Sequence, residues 1–117
     1  MNSVVIKPTV KIWCLLHDHP EPWLVNLQET IVKQVVELAN AGIHNENDMT
    51  VLFPPDLMKK GLGQEIVVEI DSVHEDQIQM TEVILKVVKS FNRNAFVQVT
   101  FTYTGERGIL YRHYASG

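Results

Sequence analysis

The chain has 117 residues, enough for one domain with a buried core and too few for two. Its formal net charge is -4 and its basic residues are scattered, the densest pair being Lys59-Lys60, so the clustered basic face that nucleic-acid binding needs is missing from the pattern. The single cysteine, Cys14, excludes an internal disulfide, and no apolar run approaches the roughly 20 residues needed to span a bilayer. Met1 to Lys7 is short for a signal peptide and lacks its charge order. A cytoplasmic protein with no membrane partner is the expectation.

The first predicted element is a strand from Thr9 to Leu16. Val10, Ile12, Cys14 and Leu16 fall on one face, and Lys11, Trp13 and Leu15 on the other. Pro8 stands at its head, where a residue without an N–H is tolerated. His17 to Pro22 reads as a loop set by two prolines. A helix is predicted from Trp23 to Ala39, with Leu24, Leu27, Ile31, Val35, Leu38 and Ala39 on one stripe and Gly42 as a stop. A short strand follows from Met49 to Phe53.

The same order then repeats. A strand is predicted from Glu65 to Asp71, and a helix from Glu75 to Phe91. Ser72 and Glu75 stand at the spacing of a capping box. Ile78, Thr81, Leu85, Val88 and Phe91 form the helix stripe, widened by Val83, Ile84 and Val87. The strand from Phe96 to Tyr103 alternates clearly, with Val97, Val99, Phe101 and Tyr103 against Gln98, Thr100 and Thr102. Gly105 to Gly108 reads as a hairpin turn, and Ile109 to Tyr114 as the returning strand.

The fold expected is therefore α+β: two β-α-β units forming a four-stranded sheet, two helices on one face, and a C-terminal hairpin. Each helix has one apolar stripe, so both must cover the same sheet face. The other face is expected to carry apolar surface from Trp13 or Cys14, Val67 or Val68, and Phe101. Uncovered apolar area costs about 25 cal/mol per Å². A homo-oligomer assembled through the sheet is the consequence.

Several side chains are candidates for chemistry, each with a plainer alternative. Lys59, Lys60 and Arg112 are cations that would suit a small anionic ligand, with Gly61 and Gly63 freeing backbone N–H groups beside the lysines. The spacing is not that of a nucleotide-binding loop, and the plainer reading is a solvated loop tip. Arg112 lies between Tyr111 and Tyr114, a composition that also suits a protein interface. Tyr103 offers a hydroxyl to a bound carbonyl, or simply packs across the hairpin. His17, Asp18 and His19 have the types but not the tight paired spacing of metal ligands, and a solvated turn before a helix explains them. Cys14 reads as a small buried residue. No metal or cofactor is expected.

Element order alone admits two architectures, a ferredoxin-like sandwich and the tautomerase fold. Three segments favour the second. Pro8-Thr9-Val10-Lys11-Ile12 resembles the proline-led first strand of the tautomerase and macrophage migration inhibitory factor superfamily. Val51-Leu52-Phe53-Pro54-Pro55-Asp56-Leu57-Met58, with Lys59-Lys60-Gly61-Leu62-Gly63 after it, is similar to a strand and loop of those proteins. Tyr103 to Tyr114 resembles the strands with which they contact neighbouring subunits. The resemblance implies a trimer with inward-facing sheets and a catalytic proline, Pro8, that takes a proton next to a carbonyl. Cations or hydrogen-bond donors would stabilise the enolate. In this sequence Lys7 precedes Pro8, so the Pro8 nitrogen is an amide whose delocalised lone pair is not basic. Removal of Met1 to Lys7 would have to expose it. The expectation is a small-molecule-binding protein of this fold, a keto-enol tautomerase of small oxo acids only with that amine free. The alternative is a non-enzymatic assembly or ligand-sensing module.

Overall fold

The computed structural model describes residues 8–13, 19–38, 48–55, 65–74, 78–105 and 108–116. They form β1 (Thr9–Trp13), α1 (Glu21–Val36), β2 (Thr50–Leu52), β3 (Glu65–His74), α2 (Ile78–Phe91), β4 (Phe96–Gly105) and β5 (Gly108–Ser116). The class is α+β, with a mixed sheet and two helices. The sheet has five strands in the order β2-β1-β3-β4-β5. The expected C-terminal hairpin forms: β5 pairs antiparallel with β4 from Gly108 to Ser116 and adds a fifth strand to the four expected.

The pairing pattern carries more information than the strand count. β1 and β2 are parallel neighbours, and so are β3 and β4. The two units join where β1 lies antiparallel to β3. Parallel neighbours need a long crossover, and α1 and α2 provide it. In a ferredoxin-like sheet another strand would split each β-α-β unit. Neither unit is split here, so that architecture, which element order alone allowed, is excluded.

One face of the sheet is the core. Val10 pairs with both Val51 and Ile70, Ile12 with Val68, Ile66 with Val97, Val68 with Val99, and Ile70 with Phe101. Directly opposed residues share a face, so these β-branched and aromatic side chains line up row by row. All are buried, in one cluster with Leu24, Leu27, Ile31 and Val35 of α1 and Met80, Ile84, Val87 and Val88 of α2. Both helices therefore cover the same face. Phe101 belongs to this core, which corrects its expected place on the open face. The open face instead carries Trp13 and Val67, together with Thr9, Lys11, Thr50, Leu52, Glu69, Asp71, Gln98 and Thr100.

Element ends differ from expectation for local reasons. α1 starts two residues early: Pro20 is the N-cap in extended conformation, and Glu21 and Pro22 form the first turn rather than a loop. A proline there gives up an N–H that has no partner within the helix anyway. The Trp23 and Leu24 amides donate to the Pro20 carbonyl at 3.0 and 3.2 Å. The helix ends at Val36, three residues before its expected end, and the Leu38 amide closes a final turn onto Val35 at 3.0 Å. β2 loses one residue at each end.

β3 runs to His74, past its expected end at Asp71. A bulge between Ile70 and Val73 sets Val73 against Tyr103 and His74 against Thr104. Ser72 is thus in a strand, and Glu75, its expected capping-box partner, lies outside the described residues. α2 starts at Ile78, and its buried stripe is Met80, Thr81, Ile84, Val87 and Val88, with Leu85 and Phe91 at the margins. The turn after α2 is closed by side chains. Asn92 Nδ2 donates to the Val88 carbonyl at 3.0 Å, and Lys89 Nζ to the Ala95 carbonyl at 2.5 Å. The first satisfies a carbonyl that the helix end leaves without a partner, and the second ties the last turn of α2 to the residue before β4. Among the described residues, no helix is long and apolar enough to cross a membrane.

Candidate functional site

Pro8 is buried at the head of β1. Its carbonyl accepts the Thr50 amide at 3.0 Å, which starts the parallel pairing of β1 with β2. On the other side, Thr9 pairs with Asp71, so Pro8 lies beside the bulged turn of β3. A bulge there breaks the ladder and re-aims the residues it carries, a device frequent near functional sites. Met49, before β2, is also buried. Pro8 therefore sits between β2 and the β3 bulge, flanked on both sides.

The other candidates fall at different distances from it. Tyr103 pairs with Val73 and with Leu110, at the same end of the sheet as Pro8. Its strand is two places from β1, about 10 Å away at the usual spacing of strands. Arg112 stands opposite Phe101, in the cross-sheet row that runs through Ile70 to Val10. That is three strands from β1, about 14 Å. The register thus gathers Pro8, Tyr103 and Arg112 toward one half of the sheet, but not onto neighbouring strands. Lys59 and Lys60 lie outside the described residues, as do Cys14, His17 and Asp18.

Two interactions on the open face were not anticipated. Trp13 Nε1 donates to Glu69 Oε1 at 2.5 Å, and Lys11 Nζ lies 3.6 Å from Asp71 Oδ2. Both are diagonal contacts: Trp13 pairs directly with Val67, and Lys11 with Glu69. Each side chain reaches one position along the neighbouring strand on the same face. Composition showed the charges on both strands; only the antiparallel register brings them together.

A third cluster lies at the helix ends. The His19 ring stacks on Trp23 with centroids 3.6 Å apart and planes 10° apart. Trp23 meets Phe91 edge-on at 5.6 Å and 80°. The edge-on geometry of Trp23 and Phe91 is one that ring quadrupoles favour, whereas His19 lies nearly face to face on the indole. The contacts join the segment before α1, the first turn of α1 and the last residue of α2. His19, weighed as a metal ligand from the sequence, has its ring laid flat on the indole. Among the described residues, no group of three His, Cys, Asp or Glu side chains is placed to hold a metal ion.

No protein-family model matches the chain, and no curated protein matches it.

Proposed function

We propose that the chain is a tautomerase-fold protein that binds a small anionic oxo acid at the Pro8 end of its sheet. In this reading it is a cytoplasmic homotrimer whose copies meet through the open face. The observation that carries the reading is the sheet itself: two unsplit β-α-β units, joined antiparallel through β1 and β3, with a proline buried at the head of β1. The open face supports the assembly. It carries Trp13 and Val67 along with Leu52 and Phe96, which are 45% and 41% exposed in the single chain.

The chemistry depends on one bond. While Lys7 is attached, the Pro8 nitrogen is an amide, and the protein binds without turning substrate over. With the preceding residues removed, Pro8 becomes a secondary amine in a desolvated place. Burial lowers the affinity of an amine for its proton, which favours the neutral base. That base would take a proton next to the carbonyl of the bound acid, and a cation such as Lys59, Lys60 or Arg112 would stabilise the enolate, with Tyr103 as a hydrogen-bond donor.

A second reading of the same fold is a non-enzymatic assembly or ligand-sensing module. Pro8 itself favours it, because a buried proline whose carbonyl is held by Thr50 serves fully as a strand anchor. Exchange of the pyruvate methyl protons in D2O, followed by proton NMR, separates the two. The expected result is exchange with a chain beginning at Pro8, and none with the chain as given or with a chain beginning at Ala in place of Pro8. Absence of exchange from a folded chain beginning at Pro8 would sink the base and leave the second reading. Equal exchange by the Pro8→Ala chain would place the chemistry elsewhere.

A further inference from the structure

We draw no further inference here: the strongest candidate, the sheet face away from the helices where Trp13 meets Glu69 and Lys11 meets Asp71, is a face without a partner in the structure, and nothing there shows what covers it beyond the assembly already proposed.

Discussion

At the scale of single residues, the open face and the core follow different physics. Trp13 and Glu69 are both half-buried, so their hydrogen bond is sheltered but not dry. Removing its acceptor with Glu69→Ala should cost about 1 kcal/mol, the usual net worth of such a bond. Glu69→Gln keeps an acceptor and should cost less. Urea midpoints of the two variants check this; equal losses would mean that the contact contributes nothing. Phe101 is the largest fully buried side chain among the described residues and is 1% exposed. Phe101→Ala should cost about 3–5 kcal/mol, from lost transfer energy and the cavity left behind. A loss under about 1 kcal/mol would return Phe101 to the open face, where the alternation by itself allowed it to be.

At the scale of elements, α1 and α2 are tied at one end by rings. Trp23 belongs to the first turn of α1 and Phe91 is the last residue of α2, so their edge-on contact fixes how the helices meet. A double-mutant cycle on Trp23→Ala and Phe91→Ala should give a coupling of about 0.5–1.5 kcal/mol. Strict additivity of the two losses would contradict the contact. These elements were largely legible in the sequence. Leu24, Leu27, Ile31 and Val35 announce a helix because their spacing makes one continuous apolar stripe, and each of them is buried. The ends were less legible. Pro22 looks like a loop residue because proline usually breaks helices, yet in a first turn it breaks nothing. Ser72 looks like a cap because a serine three residues before a glutamate is a local signal. The β3 bulge is a tertiary choice, driven by pairing of Val73 and His74 with β4, and it outweighs that signal.

At the scale of the whole molecule, alternation assigns residues to faces but does not choose a strand's neighbours. Val10 and Ile12 were readable as one face of β1. That Val10 stands between Val51 and Ile70 was not, because valine and isoleucine on every strand would pack about as well in several orders. The site suffered most from this. Pro8 came from the resemblance and Tyr103 and Arg112 from chemical type, and only register shows them spread over three strands at one end of the sheet. The assembly proposal belongs to this scale as well. Light scattering on the eluting protein should give the mass of three 13.4 kDa chains, and Trp13→Lys, which puts charge on the open face, should shift it toward one. A monomer at micromolar concentration, unchanged by Trp13→Lys, would contradict assembly through that face.

In the function proposed, the ligand binds at the end of the sheet where Pro8 meets β2 and the β3 bulge. Amide chemical shifts of the chain titrated with pyruvate test it most directly. The amides of Thr9, Thr50, Ser72 and Val73 should move together and saturate along one curve. Shifts confined to the Trp23 and Phe91 end of the molecule, or none at millimolar pyruvate, would contradict it.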